Sequence, residues 1–285
     1  MSLLDKTKVV VWNIGFIEQD VRDLLANNEY SITWLKHNYH DRFFADPFLV
    51  EEKGNRLYIL AEEYLFSEGK GRIVRLCVDK ITKELLENEK LIETNYHLSY
   101  PFVYGNEIIV EQAESGKWIA YDRKGRESRT LSNMGLIDST ILFDGRTEWV
   151  FATKIIKEKS EALQKLYRYK IVNGSVDETT ELLVKDDLVA SRPGGYFFKI
   201  DESWYRAAQT STNQIYGESV TICRIEENTD SSFKETPIKV FSSHNEERFN
   251  LGLHTFNPYN GYVIVDGFEM QMHVFQKIKH KLRKR

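Results

Sequence analysis

The sequence predicts an all-β fold, a five-bladed β-propeller whose ring is closed by N-terminal strands. Three observations predict it. Hairpin-like units recur five times from about residue 43 onward, each unit is introduced by a short polar segment, and two strand-like runs near the N-terminus have no partners of their own. One propeller domain over residues 1–273 and a basic tail over 274–285 account for the chain.

The five units are FLVEEKGNRLYILAEEY, FVYGNEIIVEQAES, ILFDGRTEWVFATK, YFFKIDESWYRAAQ and TFNPYNGYVIVDGF. Each sets two apolar or aromatic runs around a polar turn with Gly, Asp or Asn, the pattern of a β-hairpin. The polar segments ahead of them are Ala45-Asp46-Pro47, Ser99-Tyr100-Pro101, Asp138-Ser139-Thr140, Ser191-Arg192-Pro193 and Gly252-Leu253-His254. Taken from Asp46 through Tyr100, Asp138 and Arg192 to His254, the intervals are 54, 38, 54 and 62 residues. Propeller blades use roughly 40 to 50 residues each, so four strands fit in each interval.

Third and fourth strands are visible in two blades: GRIVRLCVD and EKLIET follow the first hairpin, and KLYRYKIVNGS and ETTELLV follow the third. The fifth repeat has too little chain after Met270 to finish a blade. KVVVWNIG and YSITWLKH are the strands expected to complete it, which removes an exposed sheet edge. Between them, IEQDVRDLLANNE has helical spacing at Val21, Leu24 and Leu25 and predicts one short surface helix.

Composition agrees with a folded, aromatic-rich β protein: of 285 residues, 41% are hydrophobic and 29% charged, with 16 Phe, 15 Tyr and 5 Trp. A net charge of −4 argues against a general nucleic-acid binder, which needs a broad basic surface. Cys77 and Cys223 lie in separate apolar runs, so buried free thiols and a reducing cytoplasm are expected rather than a disulfide framework or zinc site. The N-terminus lacks the pattern of a secretory signal, and no apolar run approaches the roughly 20 residues that span a bilayer. The tail has six Lys or Arg in its last ten residues, with Phe275, Ile278 and Leu282 spaced for one helical face. A solvated tail and an interfacial helix drawn to anionic lipid at the inner face of the membrane are both open.

In a propeller the first strand of each blade lines the axis, so residues entering those strands converge on one funnel. Asp46 and Asp138 supply carboxylates, Arg192 a fixed cation, Tyr100 an aromatic wall and His254 a titratable group. Glu62, Glu63, Glu114 and Glu218 flank hairpins, and Glu63 and Glu114 are taken as secondary candidates. Tyr205, Tyr216 and Gln209 sit in the fourth-blade hairpin, where aromatic faces and amides suit sugar rings. The GKGR run at 69–72 reads first as a hairpin turn, since it is a poor phosphate loop. His37, His40 and His97 lack the spacing of a metal site. Against these readings, Asp46 and Asp138 also suit turn caps, and Arg192 and His254 also suit structural roles.

The ordered motifs ADPF, SYPFV, DSTI, SRPGG and LHTFN, with AEEY before GKGRI and YRAAQ before IYGESV, resemble the N-terminal domain of glucosamine inositolphosphorylceramide transferases and related bacterial polysaccharide glycosyltransferase domains. The resemblance covers nearly residues 43–268 and implies a propeller similar to that of arabinanases and other furanosidases. Those hydrolases use an Asp base from the first blade, an orienting Asp from the third and a Glu acid from the fourth. Asp46 and Asp138 match the first two, whereas Arg192 stands where the acid is expected.

A guanidinium in place of a proton donor suits a leaving group that already bears negative charge. Arg72 and Arg206 occupy further motif positions, so three arginines are expected around a phosphorylated donor. The resemblance further implies transfer of ribofuranose 5-phosphate from phosphoribosyl diphosphate to a glycan or lipid-linked acceptor, with Asp46, or alternatively Asp138, as base. Mg²⁺ enters only as a companion of such a donor, and no resident metal is expected. A furanoside hydrolase and a non-catalytic carbohydrate-binding propeller are the competing classes.

Overall fold

The computed structural model describes residues 8–27, 29–158, 161–186, 189–212 and 215–272. The N-terminal run forms β1 (Lys8–Ile17), the helix α1 (Val21–Ala26) and β2 (Thr33–Trp34). Then come β3 (Arg42–Lys53), β4 (Arg56–Leu65), β5 (Lys70–Asp79) and β6 (Leu85–Ile92), the first blade from inside to outside. The second blade is β7 (Ser99–Tyr104), β8 (Glu107–Glu111), β9 (Trp118–Tyr121) and β10 (Glu127–Ser132). The third is β11 (Ile137–Phe143), β12 (Glu148–Glu158), β13 (Glu161–Val172) and β14 (Ser175–Lys185). In the fourth, β15 (Arg192–Pro193) and β16 (Phe198–Ile200) both pair with β17 (Ser203–Thr210), followed by β18 (Ser219–Asn228) and β19 (Phe233–Phe241).

The fifth blade starts with β20 (Phe256–Tyr259) and β21 (Tyr262–Met272) and is completed by β1 and β2, as the unpaired N-terminal runs predict. β1 and β21 pair antiparallel from Lys8 opposite Met272 to Ile17 opposite Val263. Ten cross-strand positions thus tie the two ends of the ring together. α1 forms where the spacing places it: the Asp20 side chain accepts from the Arg22 amide, and Leu24 is buried against the seam of blades four and five.

An apolar cluster fills each seam between neighbouring blades. Leu60, Ile73 and Ile108 join blades one and two, Phe102, Trp118 and Val150 join two and three, and Phe151 meets Trp204 and Phe233 between three and four. Ile222, Phe241 and Val263 lie between four and five, and Ile14, Phe44 and Ile264 close the ring between five and one. The aromatic-rich composition is therefore spent on seams, where flat rings fill the space between twisted sheets. Cys77 and Cys223 are buried free thiols. Among the described residues, no helix is long and apolar enough to cross a membrane. The basic segment 274–285 lies outside the described residues.

Candidate functional site

Three inner strands are bulged at the same place. Pairing slips between Ala45 and Phe48 in blade one, between Ser99 and Phe102 in blade two, and between Ile137 and Thr140 in blade three. The residue after each slip begins has left-handed backbone, with φ +50° at Asp46, +48° at Tyr100 and +46° at Asp138. That conformation costs a non-glycine residue about 1–2 kcal/mol, and a bulge re-aims the side chain it carries. Strain recurring in three blades at the funnel entrance marks a candidate site.

Blade four reaches the same level through its two glycines. A Cβ on Gly195, at φ +152°, would fall 2.4 Å from the carbonyl oxygen of Phe256, and the Phe256 amide donates to Gly194 O at 2.7 Å. The SRPGG run thereby interrupts the inner strand and lets it press on blade five.

Behind the entering residues stands a second set, one from the second strand of each blade. Glu62 pairs across from Ala45, Glu111 from Ser99, Thr153 from Ile137 and Gln209 from Arg192. Asp266 follows Val265, the partner of Phe256. Sequence reasoning passes over Glu62 and misses Glu111 and Asp266. A signal exists: each follows a small or β-branched residue in a hairpin, as Ala61-Glu62, Val110-Glu111, Ala152-Thr153, Ala208-Gln209 and Val265-Asp266.

The two sets meet in a buried relay of Asp46, His254 and Asp266. His254 Nδ1 lies 2.7 Å from Asp266 Oδ1, and its Nε2 lies 3.5 Å from Asp46 Oδ1. Asp266 also accepts the amides of His254 (3.2 Å), Thr255 (2.9 Å) and Asp46 (2.9 Å). The Tyr100 amide donates to Asp46 Oδ2 at 3.2 Å. Burial pushes Asp46 up to about 7, with the His254 charge opposing and Asp266 and Asp138 reinforcing. Burial alone would lower His254, but Asp266 and Asp46 outweigh it and raise its pKa. Burial alone would likewise raise Asp266, but the His254 charge and the hydrogen bonds hold it below the usual carboxylate range. The Trp12 ring stacks on His254 at 4.0 Å and 21°, so strand β1 shapes the site it closes.

Asp138 and Arg192 form the opposite half. Arg192 Nε donates to Asp138 Oδ2 at 2.7 Å and Nη2 lies 2.5 Å from the same oxygen. Gln209 Nε2 donates to that oxygen as well, at 2.8 Å. The guanidinium lies 5.1 Å from the centre of the Tyr216 ring, which is 45% exposed and edge-on to His254. Glu111 accepts the Asp138 amide at 3.2 Å; burial and then the Asp138 charge raise its pKa well above the usual range.

Several candidates go elsewhere. The Tyr100 ring, expected as a funnel wall, is buried against Phe48 with its hydroxyl 3.0 Å from Thr140 Oγ1. Its contribution to the site is the amide. Glu63 faces away from Glu62, because neighbours on a strand alternate faces, and holds Arg42 at 2.8 Å and Arg72 at 2.7 Å. Arg206 lies on the other face of β17 from Gln209 and is bound by Glu235 at 2.5 Å. Arg72 and Arg206 are thus committed to ion pairs inside their own blades, and Arg192 alone of the three joins the Asp46–Asp138 cluster. Glu114 is exposed on the rim, where its carboxylate faces the His97 amide at 3.5 Å.

The ligand atoms of Asp46, His254 and Asp266 lie within 4.8 Å of one another, close enough to bracket a cation. In the structure these groups already serve one another: both Asp266 oxygens accept N–H groups, and both ring nitrogens of His254 face carboxylates. A separate groove of about 1100 Å³ opens between the outer strands of blades five and one, beside Trp34, His37, Tyr39, Arg42 and Phe249. It contains none of the ten funnel residues.

The family described as glucosamine inositolphosphorylceramide transferase 1, N-terminal, matches residues 31–257. Proteins named glucosamine inositolphosphorylceramide transferase 1 from Oryza sativa subsp. indica and subsp. japonica are 29% identical over 218 residues, 71% of this chain. The chain spans 29% of the length of those relatives. Among solved structures, a glycoside hydrolase aligns with TM-score 0.53 and 12% identity over 82% of this chain and 62% of its own, a likeness of fold. A thermostable family-43 glycoside hydrolase aligns with TM-score 0.49 and 10% identity over 80% of this chain and 89% of its own. With its five radial blades and a family match over most of its length, the chain belongs to the family of glucosamine inositolphosphorylceramide transferase 1 N-terminal domains.

Proposed function

We propose that the funnel catalyses glycosyl transfer, moving a furanosyl or phosphofuranosyl group onto a hydroxyl of a glycan or lipid-linked acceptor. One observation carries the reading: Asp46 is held by the Tyr100 amide and faced by His254, with its carboxyl raised to about 7. A base with that pKa takes a proton efficiently near neutral pH. The relatives' name, which is that of a transferase, supports an acceptor other than water.

The donor proposed is phosphoribosyl diphosphate. Asp46 takes the acceptor proton, the acceptor oxygen bonds to the anomeric carbon, and the carbon–oxygen bond to diphosphate breaks with inversion. Arg192, oriented by Asp138, which Gln209 holds in turn, stabilises the departing charge. Mg²⁺ would arrive with the diphosphate as part of the substrate. The same proposal sets the chain in the cytoplasm beside a membrane that presents the acceptor, with the 274–285 segment drawn to anionic lipid. Vesicle flotation of the chain with and without that segment tests the last point; equal partitioning removes it.

Furanoside hydrolysis is the second reading, favoured by the raised carboxyls of Glu62 and Glu111, which can protonate a neutral leaving group. One assay separates the two. Diphosphate release that rises with acceptor, together with an acceptor that gains the mass of ribose 5-phosphate, supports transfer. Cleavage of arabinofuranosyl or xylosyl substrates into water supports hydrolysis, and turnover of neither kind overturns both.

A further inference from the structure

Glu62 differs from the other carboxyls of the funnel in what surrounds it. Asp46 and Asp266 accept backbone amides, and Asp138 is bound by Arg192 and Gln209. Glu62 is 6% exposed, and its ion-pair partner among the described residues is His97, with Nε2 at 3.5 Å from Oε1. The backbone beneath it is Gly71, where a Cβ would fall 2.4 Å from Glu62 Oε1 and 2.6 Å from Leu98 O. The second glycine of the GKGR run is therefore a seat for this carboxyl, and a phosphate cradle is not needed to account for it.

Gly71 also sets the His97 tautomer. Its amide donates to His97 Nδ1 at 2.9 Å, so a neutral ring carries its proton on Nε2, the nitrogen 3.5 Å from Glu62 Oε1. His97 stays neutral, since burial lowers its pKa despite the opposing charges of Glu114 and Asp138. Burial raises Glu62 well above the usual range, reinforced by Asp46, Glu111, Asp266 and Asp138. Those four carboxyls act on it, and His97 lies beside it. With Oε1 over Gly71 and 3.5 Å from His97 Nε2, Oε2 is the oxygen assigned the acid proton.

We propose that Glu62 is the proton donor to the leaving-group oxygen, and that His97 and Gly71 are positioning residues that hold its carboxyl for that step. The inference rests on the funnel being a glycosyl-transfer site and holds whether the acceptor is a hydroxyl or water. As the acceptor oxygen bonds to the anomeric carbon and gives its proton to Asp46, the bond to the leaving oxygen breaks and that oxygen takes the Glu62 proton. Water in the funnel then returns a proton to Glu62 and removes one from Asp46. The substrate class follows: the donor's leaving oxygen is basic enough to gain from protonation, as a terminal phosphate or a sugar alkoxide is.

The test uses ribofuranosyl 5-phosphate donors with 4-nitrophenoxide or phenoxide as the leaving group, turned over by the full chain and by Glu62→Gln. The expected result is a loss of about 100-fold or more with the phenoxide donor and under about 10-fold with the nitrophenoxide, the span of general acid catalysis. His97→Phe removes the N–H that favours ionised Glu62, so it moves the alkaline limb of the rate profile upward, which a structural role would not do. Equal losses on both donors, or none, overturn the assignment while leaving the funnel reading intact. Wild-type turnover of neither donor, nor of phosphoribosyl diphosphate, overturns the funnel reading and this inference together. Thermal unfolding of each variant separates misfolding from lost chemistry, and Gly71→Ala, which displaces the carboxyl, should reproduce the Glu62→Gln pattern.

Discussion

Arg192 of blade four closes on Asp138 of blade three through two of its nitrogens, 2.7 and 2.5 Å from the same carboxylate oxygen. The pair is nearly buried, with 12% of the arginine side chain and 4% of the aspartate exposed. It joins residues 54 apart in sequence across the funnel, so it orders two blades as well as presenting a cation.

Removing one partner leaves the other charge buried and unpaired, which costs about 3–5 kcal/mol. Arg192→Ala is expected to lower unfolding stability by that order and Asp138→Asn by less, since an amide still accepts from Gln209. Chemical denaturation of both single variants and of Arg192→Met with Asp138→Leu checks it. The double variant should recover most of the stability and none of the activity.

Asp46 gives a stability prediction of opposite sign to its effect on activity. Its folded pKa, about 7, lies above the ordinary 3.8, so the folded state binds the extra proton between those values. The resulting stabilisation is fully present below the ordinary value and is lost as pH rises through about 7. Asp46→Asn is therefore expected to melt higher than wild type at pH 8, with the difference shrinking at pH 5. Melting curves at the two pH values decide it.

Gly195 holds blade four against blade five. Alanine there is strained by the positive φ of +152° and collides with Phe256 O at 2.4 Å. Gly195→Ala is expected to cost at least about 2 kcal/mol, more than the 1–2 kcal/mol of an ordinary left-handed position. Gly54→Ala provides the control, since φ is also positive but nothing lies within 4 Å.

Trp12 reaches the relay from the strand that closes the ring. Its stack at 4.0 Å holds the His254 plane, so Trp12→Leu should lower kcat about tenfold with little change in KM, the mark of lost orientation. A rise in KM alone would assign Trp12 to substrate binding instead.

The ring itself is legible in the sequence because its signals are local: a hairpin turn, a polar step before each inner strand, and two N-terminal strands without partners. Asp46, Asp138, Arg192 and His254 are legible for the same reason. Glu62 is hidden because AEEY offers two adjacent glutamates on opposite faces of β4, and the bulge at Asp46-Pro47 shifts the register by which one would choose between them. The Tyr100 ring is misplaced by the same device, since its bulge turns the amide toward Asp46 and the ring into the core. Arg72 and Arg206 carry a charge that suits phosphate, but their partners Glu63 and Glu235 become neighbours only once strands pair.

The central claim is that Asp46 is the base of a glycosyl transfer. Its most direct test is the pH dependence of kcat for acceptor-dependent diphosphate release, measured on wild type and Asp46→Asn. The account predicts an acidic limb in wild type near the Asp46 value of about 7, and a loss of about 10²–10⁴-fold in Asp46→Asn with that limb gone. Undiminished turnover by Asp46→Asn at pH 8, with the limb still present, would contradict it.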